Sequence, residues 1–244
     1  MKDRILAIDT GAESCSAALS VEGQLYQRYE PTPREHSKFV LPMVDSLLQE
    51  SGLKLADLNG IAYIRGPGSF TGLRIGVSVV QGLAYAANLP TLGLSSLHCL
   101  AASALETYSL QPSKTLLVML DARMNEVYWA QYRVEQGRPS LVGQESVGKP
   151  EHIIIDGDSG LVGLGSGWNY QAQLSTDIQT RLEEIYPEHN TRATDIFSLL
   201  EFLGDEAEPF GASSALPVYV RNKVSWKKLS EQKKIAATKR EMQH

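Results

Sequence analysis

The sequence predicts an α/β fold built from two similar halves. Two strand-like runs each end in an aspartate, Asp9 and Asp121, and each run is followed by a hairpin. Between further strand-like runs, apolar residues recur with the i, i+3, i+4 spacing of amphipathic helices. Strands that alternate with such helices predict layered α/β units, and the repeated order of strand, aspartate and hairpin predicts a duplication.

The first half is predicted to hold a three-strand meander followed by alternating helices and strands. Glu22 and Gly23, between two strand-like runs, are typical of a hairpin turn. Gly52 is expected to end the first helix, and Pro42 lies early enough in that helix to be tolerated. The predicted elements are strands 4–9, 16–21 and 24–29, helix 37–51, strand 61–64, helix 71–88, strand 91–94 and helix 96–105.

The second half repeats a strand and a hairpin and then becomes less regular. The predicted elements are strands 115–120 and 126–133 around a turn at 121–125, glycine-rich loops at 157–167, a mixed helical region to residue 186, helix 194–203, strand 216–220 and a polar helix to the end. We therefore predict subdomains at residues 1–110 and 111–215. Residues 216–244 are expected to return to the first subdomain.

The composition predicts a folded soluble protein. The chain has 244 residues, of which 43% are hydrophobic and 21% are charged. No apolar run approaches the roughly 18 residues that suggest a membrane span, and the N-terminus leads into a strand pattern and not a signal peptide. We therefore expect a cytoplasmic protein without a membrane partner. Cys15 and Cys99 are too few for a disulfide framework or a cysteine zinc site, so both are interpreted as buried hydrophobic residues.

Charge is distributed unevenly along the chain. Residues 221–244 hold eight Lys or Arg against two Glu, a net charge of +6, which leaves −11 for residues 1–220. The acidic body is expected to repel nucleic acid, whereas the basic tail could contact a phosphate backbone. A solvated, frayed terminus is the alternative interpretation of this tail.

A glycine-rich loop is the most informative motif. Gly66, Gly68 and Gly72 precede an apolar segment with helical spacing, and Ser69 or Thr71 is expected to cap the helix. Such a loop either cradles a phosphate at the helix N-terminus or forms a tight turn with a good cap.

Two common phosphate-binding motifs are excluded. A P-loop requires a lysine after its last glycine, and no lysine occurs between Lys54 and Lys114. The dinucleotide-binding fingerprint fails because Thr71 stands where its third glycine should be.

A carboxylate, a hydroxyl and a turn follow the first strand, at Asp9, Thr10, Gly11 and Ala12. Actin, Hsp70 and sugar kinases use such a loop to hold nucleotide phosphates, with the aspartate near hydrated magnesium. Aspartic proteases use a similar sequence for one of two catalytic carboxylates, and Asp158-Ser159-Gly160 could be read as the second. The predicted helices 37–51 and 71–88 argue against that almost entirely β fold. A simple turn at Asp9 is the remaining interpretation.

Together the motifs resemble the bacterial TsaB family, also called YeaZ, whose members are non-catalytic paralogues of the threonylcarbamoyl transferase TsaD. The resemblance spans most of the chain, and its glycine motif and Asp-Ala-Arg segment are its most specific parts. The matching segments are Ile8-Asp9-Thr10-Gly11, Glu35-His36-Ser37 with Leu41-Pro42, Gly66-Pro67-Gly68-Ser69-Phe70-Thr71-Gly72-Leu73-Arg74-Ile75-Gly76, Asp121-Ala122-Arg123-Met124-Asn125-Glu126-Val127-Tyr128 and Pro217-Val218-Tyr219-Val220-Arg221. The resemblance implies an actin-like (ASKHA) α/β fold with two duplicated subdomains. It also implies a role in placing the threonylcarbamoyl group on adenosine 37 of tRNAs that read codons beginning with A.

One departure from TsaD bears on catalysis. TsaD carries a His-x-x-x-His pair that binds a metal ion, and in this chain the pair falls on Ser96 and Leu100. Leu100 cannot be a ligand, and His98 has no histidine four residues later, so His98 is interpreted as a structural residue. We therefore expect no catalytic residue, no metal site and no transferase activity of the chain alone. An independent kinase of the same fold, or a peptidase, is the alternative.

The resemblance implies that two helices bind a partner. TsaD is the expected partner, with TsaE as a further one and tRNA reached through the complex, and a homodimer is expected when TsaD is absent. The predicted partner-binding residues are Val40, Met43, Val44, Leu47, Gly72, Leu73, Gly76, Val77, Val80 and Ala84. No tightly bound cofactor is expected, although ATP or ADP could bind at or near the joint with TsaD. Asp9, Thr10, Gly11 and Ala12 are interpreted as a vestigial phosphate loop.

Overall fold

The fold is built on two five-stranded sheets. The computed structural model describes residues 4–31, 35–111, 114–157, 160–204, 209 and 211–220. The strands are β1 (Ile5–Asp9), β2 (Cys15–Val21), β3 (Gln24–Glu30), β4 (Gly60–Gly66), β5 (Thr91–Ser95), β6 (Thr115–Asp121), β7 (Val127–Glu135), β8 (Arg138–Gly148), β9 (Leu161–Leu164) and β10 (Leu182–Tyr186). The α-helices are α1 (His36–Ser51), α2 (Phe70–Ala87), α3 (Ser96–Tyr108), α4 (Thr176–Arg181) and α5 (Asp195–Leu203).

The two sheets share one strand order. In the first sheet the order is β3-β2-β1-β4-β5, and β1 is antiparallel to β2 and parallel to β4. In the second sheet it is β8-β7-β6-β9-β10, and β6 is antiparallel to β7 and parallel to β9. Each half is therefore a meander followed by two parallel strands. This repetition confirms the predicted duplication and the predicted actin-like α/β class.

Helices cover both faces of the first sheet. The side chains of Leu6 and Ile8 in β1 pack toward α1 and α2, whereas Ala7 packs toward α3 and α5. Because β1 is central and covered on both sides, its sequence is almost continuously apolar. Helix α3 also packs against the second sheet through Leu97 and Leu100, so one helix serves both halves.

The second half contains more strands than the sequence predicts. Strand β8 was not predicted, and β9 and β10 lie where loops and a mixed helical region were expected, so those predictions were wrong. Strand β9 is only four residues long, and its Gly163 is required because the ring of Trp168 occupies the space of a Cβ. Strand β10 is an edge strand in which Glu183 and Glu184 mask the apolar pattern.

The C-terminal part returns to the first half. Ile196 and Leu199 of α5 pack against the first sheet, so the return begins before the expected residue 216. Residues 216–220 form no strand, which corrects that prediction. The predicted polar helix beyond residue 220 lies outside the described residues. No helix in the described part of the chain is long and apolar enough to cross a bilayer.

Candidate functional site

The glycine motif forms the connection between β4 and α2. Strand β4 ends at Gly66, whose φ of +119° is a conformation that residues with a side chain rarely adopt. Ser69, and not Thr71, caps α2, because its Oγ accepts a hydrogen bond from the Gly72 amide at 3.3 Å. The predicted unit of strand, glycine loop and helix is therefore confirmed.

The glycines of this motif pack against the loop that follows β1. A Cβ on Gly68 would overlap the carbonyl oxygen of Gly11, and a Cβ on Gly72 would overlap that of Thr10. A Cβ on Gly76 would overlap the Thr10 hydroxyl, which donates a hydrogen bond to the Gly72 carbonyl at 2.8 Å. The close backbone approach that the motif predicts is thus an internal one, between two loops of the same chain.

The loop from Asp9 to Ala12 does not fit a nucleotide phosphate. The Gly11 amide, which a phosphate cradle would need, donates to Asp9 Oδ1 at 2.8 Å. The Gly11 carbonyl accepts from the Ser69 amide at 2.8 Å, so the glycine motif occupies the adjoining space. Asp9 is only 1% exposed. Burial raises the pKa of its carboxyl above 3.8, although the hydrogen bond from the Gly11 amide favours the charged form.

The fold argues against the peptidase alternative. Helices α1 and α2 are unlike the almost entirely β fold of aspartic proteases, and β1 and its neighbours form an open mixed sheet. Asp158 and Ser159, the proposed second half of that site, lie outside the described residues. Asp9 is therefore interpreted as part of a structural junction between β1 and the glycine motif.

Packed side chains occupy Ser96 and Leu100, the positions at which the resemblance places the TsaD metal ligands. The Ser96 hydroxyl donates a hydrogen bond to the carbonyl of Pro67, and Leu100 is fully buried between α3 and the second sheet. The His98 ring stacks on Tyr132 with 5.1 Å between centroids, and its Nε2 lies 2.9 Å from the carbonyl oxygen of Pro139. Burial lowers the pKa of His98. Among the residues that the structure describes, no group of three His, Cys, Asp or Glu is arranged to hold a metal ion.

The residues predicted to bind a partner face the interior. All of them are buried in the isolated chain; they are Val40, Met43, Val44, Leu47, Gly72, Leu73, Gly76, Val77, Val80 and Ala84. Their apolar stripes cover the first sheet, which was one of the two interpretations of this pattern. Whether α1 and α2 bind a partner stays a prediction, but other side chains of these helices would have to do so.

The outer faces of α1 and α2 expose an unusual set of residues. Leu41 on α1 is 50% exposed and Tyr85 on α2 is 86% exposed. Ser78, Gly82 and Ala86 are exposed and four residues apart, so they lie on one stripe of α2. A Cβ on Gly82 would meet no atom of the described residues within 4 Å, so nothing in that part of the chain requires a glycine there. The four-residue spacing of Ser78, Gly82 and Ala86 is the sequence signal that could have identified this face. The more prominent apolar stripe of α2 drew the prediction to the opposite side of the helix.

A second feature that the sequence did not assign links the two halves. The turn after β6 places Arg123, Met124 and Asn125 at φ values of +62°, +59° and +59°, a left-handed run without glycine. Asp121 supports this turn, because its Oδ1 accepts from the Arg123 amide at 2.8 Å. The Arg123 guanidinium pairs with Glu13 in the loop after β1. The loop after β1 and the turn after β6 are therefore joined by an ion pair.

Comparison with known protein families gives one match over more than half of the chain. Residues 30–175 match the family described as "TsaD: tRNA N6-adenosine threonylcarbamoyltransferase".

Curated relatives resemble the chain over nearly its whole length. A tRNA threonylcarbamoyladenosine biosynthesis protein TsaB from Escherichia coli (strain K12) is 42% identical over 93% of this chain and 98% of its own. The protein of the same name from Haemophilus influenzae is 35% identical over 92% of this chain and 96% of its own. Among solved structures, "YeaZ from Pseudomonas aeruginosa" is 39% identical, superposes with a TM-score of 0.81, and is matched over 89% of this chain and 99% of its own.

Proposed function

The chain belongs to the TsaB family of tRNA threonylcarbamoyladenosine biosynthesis proteins, and we propose that it acts there as the non-catalytic partner of TsaD. The family places the chain in the pathway that modifies tRNA with threonylcarbamoyladenosine. Within that pathway, the proposed role is to pair with TsaD and keep it active for transfer to adenosine 37. TsaE is the proposed further partner, and the chain is proposed to form a homodimer when TsaD is absent.

The observation that carries the proposed non-catalytic role is that internal contacts engage the residues where the resemblance would place a reaction centre. Ser96 and Leu100, at the positions of the TsaD metal ligands, are engaged in internal packing. The loop after Asp9 is packed against the glycine motif, and the Gly11 carbonyl accepts a hydrogen bond from the Ser69 amide, which supports a structural role for this loop. These contacts support the proposal that the chain keeps the fold of an actin-like enzyme, whereas the region of the reaction centre is packed with the chain's own residues. They argue equally against the independent kinase.

The outer faces of α1 and α2 support the proposed pairing with TsaD. Gly82 has no neighbour in the described part of the chain that would exclude a side chain, although glycine in a helix costs roughly 0.5 to 1 kcal/mol relative to alanine. A partner helix that approaches the α2 backbone closely would account for this residue, since small residues permit short distances between helices. Leu41 and Tyr85 would supply apolar and aromatic contacts beside it.

We place any nucleotide at the joint between the two proteins and not on the loop after Asp9. That loop has its amide and its space engaged internally, as described above. ATP or ADP bound by the pair would therefore rely on groups that TsaD contributes. No tightly bound cofactor is proposed for the chain alone.

Light scattering and calorimetry test this proposal. The isolated chain, isolated TsaD and their mixture would be compared by size-exclusion chromatography with light scattering, and each titrated with ATP and ADP. We expect a 1:1 complex in the mixture and nucleotide binding only there. A mixture that elutes as two separate proteins, or strong ATP binding by the isolated chain that Asp9→Asn abolishes, would contradict the proposal.

A further inference from the structure

Strand β3 forms one edge of the first sheet and leaves its outer side open. Its inner side pairs with β2 along all seven residues, from Gln24 to Glu30, without a shift in register. Among the residues that the structure describes, no strand pairs with its outer side. The other three edge strands, β5, β8 and β10, each belong to a ladder whose register shifts. Because such irregularities discourage pairing between molecules, β3 is the edge that is regular enough to accept another strand.

The hairpin turn decides which backbone groups of β3 point outward. Both residues of the turn at 22–23 have positive φ, as a two-residue hairpin requires, so Val21 and Gln24 are the hydrogen-bonded pair that closes it. Hydrogen-bonded and non-hydrogen-bonded pairs alternate along an antiparallel ladder. The N–H and C=O groups that point away from β2 therefore belong to Leu25, Gln27 and Tyr29.

The side chains at these three positions carry no charge, and none of them is proline. Leu25 is 49% exposed and Tyr29 is 45% exposed, and the alternation of the strand places both on the face away from α1. The charged residues of β3 lie on the other face, where the Arg28 guanidinium pairs with Glu50 of α1. Lysine, proline and bulges are the usual protection of an open edge, and the open side of β3 has none of them.

The sequence of β3 is complementary to itself when two copies run antiparallel. A twofold axis through Gln27, the middle residue, gives the register in which all seven residues of each strand are paired. In this register an exposed leucine meets an exposed tyrosine twice on one face, and no two like charges stand opposite each other. The opposed pairs are Leu25 with Tyr29, Gln27 with Gln27, Tyr26 with Arg28 and Gln24 with Glu30.

We propose that two copies of the chain pair through β3 and form a twofold dimer in which two five-stranded sheets become one. The proposal goes beyond the pairing with TsaD, because that pairing is assigned to the outer faces of α1 and α2. It names the contact of the homodimer that the proposed function expects, and in that respect it rests on the proposed function. A second copy is favoured over an unrelated extended peptide because the same seven residues supply partners for each other. Backbone hydrogen bonds supply the affinity, and the contacts between leucine and tyrosine fix the register.

Cysteine crosslinking tests the register with the full chain. Gln27→Cys places two thiols opposite each other on the axis, where paired Cα atoms lie about 5.5 Å apart, within reach of a disulfide. Leu25→Cys is the matched control, because its two Cα atoms would lie roughly 14 Å apart along the strands. The native thiols of Cys15 and Cys99 are buried. After mild oxidation we expect a covalent dimer from Gln27→Cys and none from Leu25→Cys.

Charge substitutions test the same axis without oxidation. Gln27→Lys and Gln27→Glu each place two like charges opposite each other, so each should raise the dimer Kd about two- to fivefold in analytical ultracentrifugation. An equimolar mixture of the two variants should restore dimerisation, because an ammonium group then faces a carboxylate. Gly82→Glu should leave the dimer Kd unchanged, whereas both variants at position 27 should bind TsaD with the affinity of the unmodified chain.

Three outcomes would overturn the proposal. The first is a chain that stays monomeric at every concentration measured. The second is disulfide formation that is equal for Gln27→Cys and Leu25→Cys, or absent from both. The third is a dimer that Gly82→Glu abolishes and Gln27→Lys retains, which would assign self-pairing to the helices. Failure of the unmodified chain to bind TsaD would count against the proposed function alone, because the tests of β3 use the isolated chain.

Discussion

Gly82 provides the sharpest test of the proposed pairing surface. Replacing this exposed glycine by alanine adds a methyl group that would meet no atom within 4 Å among the residues that the structure describes. Alanine is the better helix former by roughly 0.5 to 1 kcal/mol, so Gly82→Ala should stabilise the isolated chain. For a chain of this size, that corresponds to a rise in melting temperature of about 1 to 4 °C.

The same change should weaken binding to TsaD. If a partner helix approaches the α2 backbone at Gly82, the methyl group of Gly82→Ala must push that helix away. The carboxylate of Gly82→Glu must either be buried in the interface or break the contact. We expect Gly82→Ala to raise the Kd for TsaD measurably and Gly82→Glu to raise it at least tenfold, which is about 1.4 kcal/mol. Calorimetric titration with TsaD measures both values, and circular dichroism during heating measures stability.

Gly76→Ala is the matched control on the same helix. Its Cβ would overlap the Thr10 hydroxyl inside the chain, so this variant should lose about 1 to 3 kcal/mol of stability without a direct effect on a partner. The reasoning would be refuted if Gly82→Ala destabilised the isolated chain as much as Gly76→Ala does. The pairing surface would be refuted if Gly82→Glu bound TsaD with unchanged affinity.

The remaining predictions concern the internal contacts. Asp9 has a pKa above 3.8 in the folded chain, so the free energy of unfolding should fall as pH rises from about 4 through the folded pKa. Asp9→Asn should remove this fall, as measured by urea unfolding at several pH values. An equal pH dependence of unfolding in the unmodified chain and in Asp9→Asn would contradict this prediction. His98 has a pKa below 6.5, so stability should fall as pH drops below 6.5, and His98→Phe should reduce that fall; a steeper fall in the variant would argue otherwise. Arg123→Ala breaks an exposed ion pair and should cost at most about 1 kcal/mol, whereas Gly72→Ala should cost more because its Cβ overlaps the Thr10 carbonyl; the reverse order in thermal unfolding would show that the loop junction is not tightly packed.

The first half of the fold was largely predictable, because its signals are local. The hairpin at Glu22 and Gly23 is marked by its glycine, and both residues adopt positive φ, at +52° and +94°. Helix α1 follows its apolar period and ends at Gly52, which is left-handed as expected. In the second half, β9 and β10 are short and partly polar, and only pairing with β6 and with each other makes them strands. Such pairing is a tertiary effect that periodicity does not record.

The candidate site shows a different limit of the sequence. The glycine motif correctly predicted a close backbone approach, but a glycine that admits a phosphate and a glycine that admits another loop look alike in a sequence. Only the structure shows that Gly68 and Gly72 face Gly11 and Thr10. Likewise, an apolar stripe on α2 predicts burial without saying against what, and here it is the chain's own sheet. Gly82 marks the outer face that remains for a partner, because no contact among the described residues requires a glycine there.

The most direct test of the central claim is reconstitution of threonylcarbamoyl transfer. Purified chain, purified TsaD and their mixture would each receive threonylcarbamoyl donor, ATP, TsaE and unmodified tRNA, and modified adenosine would be quantified by mass spectrometry. The account predicts multiple-turnover modification only in the mixture, with a loss of rate in Gly82→Glu that follows the loss of pairing. Modification by the chain in a preparation free of TsaD, or equal rates with and without the chain, would contradict it.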